Sequence, residues 1–222
     1  MLYVIGTPIG NLNDITLRAL EALKAADVVA AEDTRHSGNL LRHFEIRKPL
    51  VSYHQHNEAM RTAELSERLA GGESVALITD AGMPGLSDPG ARLIRACIEK
   101  DLPYTIIPGV SAILTALVGS GFPLERFYFQ GFLPVKSGGR ERDLRAAAER
   151  EETSVFFESP YRINKTLAAC VELMPDREVC VARELTKKFE EFRRGTPADL
   201  LAHYEARPAK GEITFLVSGK EA

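Results

Sequence analysis

Short apolar runs recur through the first half of the chain, each followed by a stretch with helical spacing. "LYVI" (2–5) predicts a first strand and "VVAA" (28–31) a second. "LVSYH" (50–54), "SVALITD" (74–80) and "YTIIP" (104–108) predict the next three. After the first strand, Ile15, Ala19, Ala22, Leu23 and Ala26 form one apolar helical stripe, with Asp14 or Thr16 as cap. Further helices are predicted over 38–46, 57–72, 88–101 and 110–121; Asn57 is the expected N-cap of the second of these and a glycine pair its stop. Strands alternating with helices imply βαβ units and a mainly parallel sheet covered on both faces.

Residue 119 breaks this pattern. "GSGFPLE" (119–125) reads as a linker, and the patterning beyond it is different. Strands are predicted over 126–133, 154–158 and 211–219, with helices over 138–151 and 161–174. "REVCVARELT" and "FEEFRRG" alternate as an antiparallel hairpin does. "TPADLLAHYEA" is a helix with Thr196 as N-cap and Pro197 at its first position. The fold class expected is α/β: an N-terminal parallel-sheet domain (1–118), a linker (119–125) and a C-terminal mixed-sheet α/β domain (126–222), with a ligand cleft between the domains.

Composition narrows the class. The 222 residues are 45% hydrophobic and 27% charged, ordinary for a globular chain. No apolar run approaches the roughly 18 residues of a membrane helix. The N-terminus lacks a basic leader region, so neither membrane anchoring nor a signal peptide is expected. Cys97, Cys170 and Cys180 are odd in number, lack C-x-x-C spacing and sit in apolar sequence, which points to reduced thiols and a cytoplasmic protein. A net charge of −3 excludes a polycation, so nucleic-acid binding needs a local basic patch.

Candidate chemistry lies in the loops. "GTPIGN" (6–11) follows the first strand but is not G-x-G-x-x-G, and no P-loop occurs anywhere. "TDAGMPGLSDPGA" (79–91) is rich in glycine and proline. Its "SDPG" half reads as helix initiation, with Ser87 or Asp88 as cap and Pro89 at N1. Its "DAGMPG" half reads as a rigid loop whose exposed peptide groups approach a ligand, or as a purely structural turn. "IPGVSA" (107–112) places Ser111 before a helix, as a cap or as a donor to a polar ligand. "AAEDTRHS" (30–37) offers Glu32, Asp33 and Arg35 as a cluster able to take a proton from a hydroxyl, or as a helix cap with an exposed ion pair. Arg183, Lys187, Lys188, Arg193 and Arg194, beside Phe189 and Phe192, form a basic–aromatic group suited to RNA or a solvated hairpin face. "HQH" (54–56) has no third ligand, and no metal site is expected.

In order, "YVIGTPIGNLNDITLRALEAL", "AAEDTR", "LITDAGMPGLSDPG", "IPGVSA", "FFESPYR", "RELTKKFEE" and "KGEITFLVSG" resemble the small-subunit ribosomal RNA ribose methyltransferase I family. That family belongs to the tetrapyrrole methylase superfamily of S-adenosyl-L-methionine (SAM) methyltransferases, and the match covers nearly the whole chain. The resemblance implies a homodimer of two-domain α/β chains with SAM in the cleft. It also implies methylation of the 2′-hydroxyl of a cytidine in the decoding region of 16S rRNA, in free rRNA or in the small ribosomal subunit.

Carried over by position, the SAM contacts fall on Pro8, Ala81, Gly82, Met83, Ser111 and Ala112, with Glu158, Ala182 and Gly211 matching contacts from the second domain. Tetrapyrrole enzymes often carry an acid where Met83 stands, so a backbone role is expected there. Glu32 or Asp33 is the expected proton acceptor, with Arg35 holding the carboxylate or a phosphate; Lys187 is the alternative. Arg35, Arg162, Arg183, Lys187, Arg193 and Arg194 are the expected RNA contacts, mainly to phosphate. Two rivals share the loops. One is a methyltransferase acting on a tetrapyrrole or other small molecule; the other is a SAM-sensing or RNA-binding module without turnover.

Overall fold

Five short apolar segments pair side by side in the first half of the chain: β1 (Leu2–Ile5), β2 (Val28–Ala31), β3 (Leu50–Ser52), β4 (Val75–Ile78) and β5 (Tyr104–Ile107). The structure, a computed structural model, describes residues 1–220. The strands form an all-parallel sheet in the order β3-β2-β4-β1-β5. Side chains alternate cleanly between its faces. Ile5, Val29, Ala31, Ala76 and Ile78 pack on one side with Leu23 and Leu41. Leu2, Val4, Val28, Ala30, Val75 and Leu77 pack on the other with Tyr53, Leu65 and Leu93. Burial on both faces is why these strands read as unbroken apolar runs.

The connecting helices are α1 (Leu17–Ala25), α2 (Thr34–His43), α3 (Glu58–Ala70) and α4 (Ala91–Glu99). Thr16 caps α1 by accepting the Ala19 N–H at 3.1 Å, while Asp14 lies in a preceding 3-10 turn. Helix α2 starts four residues before the expected position 38, because Asp33 caps it. Asn57 precedes α3 but makes no side-chain cap; its carboxamide instead accepts the His54 N–H at 2.8 Å.

The "SDPG" expectation is corrected. Helix α4 begins at Ala91, behind Gly90 at φ 142°, and neither Ser87 nor Asp88 caps it. Pro89 is not its first residue; the Pro89 carbonyl accepts the Gly85 N–H at 3.2 Å and closes the loop on itself. The Gly90 N–H donates to Glu58 Oε1 at 3.0 Å, a long-range bond that outcompetes local helix initiation.

The chain divides into two compact units, Met1–Ser111 and Ala112–Ala222. The second contains α5 (Ala112–Ser120), β6 (Phe127–Phe132), α6 (Ser137–Glu149), β7 (Thr153–Glu158), α7 (Ile163–Leu173), β8 (Val179–Arg183), β9 (Glu191–Gly195), α8 (Pro197–Ala206) and β10 (Ile213–Val217). Its sheet runs β6-β7-β10-β8-β9; only β6 and β7 pair in parallel. Helix α5 therefore folds with the second unit, ahead of the linker read from the sequence. Phe156 and Phe215 stack in the core, centroids 6.4 Å apart, beside Leu167 and Tyr204. Thr196 and Pro197 open α8 as expected, with the Thr196 hydroxyl accepting the Asp199 N–H at 3.2 Å. Within α6, Arg140 and Asp143 are buried despite their charge.

Among the described residues no helix is long and apolar enough to cross a membrane, and Cys97, Cys170 and Cys180 are buried free thiols.

Candidate active site

Three loops meet at the carboxyl edge of the parallel sheet. The chain leaves β1 toward β2 on one side and β4 toward β5 on the other, the kind of reversal where open α/β sheets bind ligands. Thr7 and Gly82 exchange backbone hydrogen bonds of 2.9 and 3.1 Å, joining the loops that follow β1 and β4. The Thr7 hydroxyl also donates to the Thr79 carbonyl at 3.1 Å. Gly6 faces Gly109 so closely that a Cβ on Gly6 would stand 2.7 Å from the Gly109 backbone and 2.6 Å from Met83 Sδ. Gly82, at φ 82°, turns the loop in the left-handed region that L side chains avoid. Pro8, Ala81, Gly82, Met83 and Ser111 thus lie on three strand ends tied together by backbone, and Ala112 opens α5.

Acidic groups gather beside this junction. Register pairs Ala31 of β2 with Ile78 of β4, so Glu32 and Asp80 leave neighbouring strands at the same edge. Burial raises the Glu32 pKa, and the adjacent Asp80 raises it further. Asp80 Oδ1 accepts the Asp33 N–H at 3.1 Å. Asp88 is pushed up to about 7, first by burial and then by Glu32 and Asp80. Among the described residues, no ion pair engages Glu32, Asp80 or Asp88.

Asp33 behaves differently from Glu32. Its Oδ1 accepts the Arg35 N–H at 2.8 Å, and its Oδ2 pairs with Arg35 Nη2 at 3.2 Å. These bonds lower its pKa. It is a helix cap with an exposed partner, the Arg35 side chain being 91% exposed. His54 and His56 meet edge-on with centroids 5.8 Å apart. Among the described residues, no group of three potential ligands surrounds a metal position.

The second unit treats the expected contacts otherwise. Glu158, at the end of β7, is buried and accepts from Arg162 Nη2 at 2.6 Å, the Thr166 hydroxyl at 2.6 Å and the Ser159 N–H at 2.7 Å. Ala182 is fully buried in β8 opposite Thr214. Gly211, at φ 81°, lies against the Glu184 carboxylate. Lys187 Nζ sits between Glu184 and Glu212, 2.9 Å from each. Arg183 and Arg193 share Glu191, at 2.6 and 2.8 Å. The Arg194 guanidinium donates to the Gly119 and Ser120 carbonyls at the end of α5. The basic residues are adjacent, as their order suggested, but each is tied to an acid or a helix end. Lys188, over the exposed Phe189 ring, is the exception.

Asp80 and Asp88 were not candidates from sequence. Both lie within "TDAGMPGLSDPGA", where an aspartate reads as turn chemistry; their only signal is that two carboxylates follow one buried strand.

The chain thus has two α/β units, the first with strand-end loops tied together at the sheet reversal. A family profile described as Tetrapyrrole (Corrin/Porphyrin) Methylases matches residues 1–201. Proteins called ribosomal RNA small subunit methyltransferase I are similar throughout. The Synechocystis protein is 44% identical, with 99% of this chain and 79% of its own length aligned. The Thermotoga maritima protein is 44% identical over 99% of both chains. The Bacillus subtilis protein is 42% identical over 99% of this chain and 75% of its own. By this similarity the chain belongs to the ribosomal RNA small subunit methyltransferase I family of the tetrapyrrole methylases. Methyltransferases of this family use SAM. In fold, the chain is similar to the methyltransferase CobJ (TM-score 0.72, 20% identity, 100% and 96% covered). It is likewise similar to uroporphyrin-III-C-methyltransferase from Thermus thermophilus (TM-score 0.68, 23% identity, 98% and 93% covered).

Proposed function

We propose that this protein transfers the methyl group of SAM to the 2′-hydroxyl of a cytidine in the decoding region of 16S rRNA. The observation that carries the reading is the loop junction of the first unit with its uncompensated carboxylates, in a chain of this family. The donor set fits SAM. A sulfonium and an ammonium are cationic, and among the described residues Asp80 and Asp88 stand beside the junction without an ion pair. The Thr79 hydroxyl is buried with no partner, a polar group suited to a ligand atom. Pro8, Ala81, Gly82, Met83 and Ser111 are the residues we assign to hold it, largely through backbone. The missing phosphate-loop patterns agree, because SAM has no phosphate to cradle.

When bound, SAM supplies a methyl group made electrophilic by its sulfonium. The protein must orient the ribose, exclude water and remove one proton from the 2′-oxygen. We assign that proton to Glu32. Burial and the neighbouring Asp80 raise the pKa of its half-buried carboxylate, which makes it a stronger proton acceptor than an ordinary carboxylate. Asp33 is a weaker candidate, since Arg35 and the helix cap stabilise its ionised form. Lys187 is held as a cation by two carboxylates, which disfavours a basic role.

The test is a map of ribose methylation across small-subunit rRNA with and without the protein. One cytidine should gain the modification, and an unchanged map overturns the reading. Glu32→Gln should retain SAM binding and lose roughly 100-fold or more in rate, the scale of a general base. A wild-type rate in that variant excludes Glu32 as the acceptor.

A further inference from the structure

Arg183, Lys187, Arg193 and Arg194 of the second unit are tied to internal partners, whereas among the described residues a separate cationic group in the first unit forms no ion pair. Helix α2 ends in a Schellman turn. The Ile46 N–H donates to the Leu41 carbonyl at 2.8 Å and the Glu45 N–H to the Arg42 carbonyl at 3.1 Å, with Glu45 at φ 56°. Leu41 and Ile46 are both buried and anchor the turn. The chain therefore doubles back into β3 and sets Arg47 and Lys48 beside Arg42. Together these side chains line an open groove of about 910 Å³, with Gly38 and Leu50 also in its wall.

Charge in the groove is lopsided. Arg42, Arg47 and Lys48 face one lining acid, Glu45. Arg42 Nη1 donates to the neutral carboxamide of Asn39 at 2.9 Å. Among the described residues, neither Arg47 nor Lys48 forms an ion pair, although Lys48 lies near enough to the Asp27 carboxylate to help lower its pKa. Glycine at position 38 keeps the wall beside α2 low. Arg35, Asn39 and Arg42 recur at i, i+4 and i+7 and so share one face of α2. Seven residues of helix rise about 10 Å. A line of polar and cationic groups thus runs from beside Glu32 to the groove. Three cations on an open, rigid turn match a chain of phosphates rather than a single small anion.

We propose that this groove, built by Arg42, Arg47 and Lys48, holds the phosphate backbone of the RNA substrate next to the methylated nucleotide. The proposal rests on the rRNA reading and adds where the RNA lies. It replaces the arginines of β8 and β9, which are engaged elsewhere, as the main electrostatic contact.

The test compares the wild-type protein with the triple variant R42A/R47A/K48A, using a labelled RNA fragment of the decoding region across a salt series. Binding should weaken at least tenfold at 0.1 M salt, and the slope of log K against log salt should fall by about 2, three contacts at roughly 0.7 each. SAM affinity and thermal melting should stay at wild-type values. The charge-conserving variant R42K/R47K should keep the wild-type slope. An unchanged slope in the triple variant overturns the proposal, as does an equal loss in the lysine variant. So does normal binding to naked RNA with loss only on assembled small subunits, which would indicate a protein partner. The two readings fail separately. A variant with reduced slope alongside a wild-type protein that leaves the methylation map unchanged sinks the enzymatic reading alone. A normal map with an unaltered slope sinks the groove alone.

Discussion

Replacing Asp88 by asparagine should stabilise the protein, and only above acidic pH. The carboxyl is pushed from the ordinary 3.8 up to about 7 by burial and by the charges of Glu32 and Asp80. Among the described residues no hydrogen bond or ion pair holds its side chain, so asparagine removes a charge without breaking a contact. The folded state keeps a proton that the unfolded chain has shed. Stability from that proton is fully present below about 3.8 and is lost as pH rises through the folded value. A shift of about three units corresponds to a ceiling of about 4 kcal/mol at 1.36 kcal/mol per unit. Asp88 is only half-buried, and solvent screening reduces this to roughly 2 kcal/mol. For a chain of this length that is a rise of roughly 4–8 °C in melting temperature. Thermal melts of wild-type and Asp88→Asn protein at pH 4 and pH 8 measure it. The variant should melt higher at pH 8 and within about a degree of wild type at pH 4. A variant less stable at pH 8, or equally stabilised at both pH values, refutes the idea that the three carboxylates repel one another in the folded protein.

Two further perturbations probe the frame. Gly6→Ala would drive a methyl group into the Gly109 backbone and Met83; a loss of about 1–3 kcal/mol in urea unfolding is expected, with SAM affinity falling at least tenfold in calorimetry. Wild-type SAM affinity would separate the loop junction from the cofactor. Glu158→Ala should leave the partly buried Arg162 with only the Leu133 carbonyl and the buried Thr166 hydroxyl without its acceptor, at a cost of about 1–3 kcal/mol. A melting temperature within a degree of wild type would show that Arg162 finds other acceptors.

The layout of the first unit was readable because its central strands β1, β2 and β4 are buried on both faces and its helices are amphipathic; each class has its own period. Thr196 and Pro197 were readable because that cap is local. What escaped was non-local. Strands β2 and β4 are neighbours although β3 intervenes in sequence, so the meeting of Glu32 with Asp80 and Asp88 depends on a crossover that no single segment encodes. Helix α4 starts late because Glu58, on another helix, claims the Gly90 N–H. The arginines of the hairpin are close in sequence and in the fold. Their neutralisation follows from a cross-strand register that sets Arg183 opposite Glu191. The unpaired cations near the end of α2 were passed over, because an amphipathic helix is expected to carry a charged face.

Strand β9 forms one edge of the second sheet, with β8 as its only strand neighbour. Arg193, Arg194 and Glu191 all belong to it. An open edge offers unpaired peptide groups to any passing extended chain, and charged side chains along it make such pairing unfavourable. Residues that first read as ligands for a polyanion are thus also of the kind that disfavours edge-to-edge pairing. A version of "EFRRG" with valine and threonine in place of the arginines would still suit a β-strand, yet it would present a template on which other copies could stack.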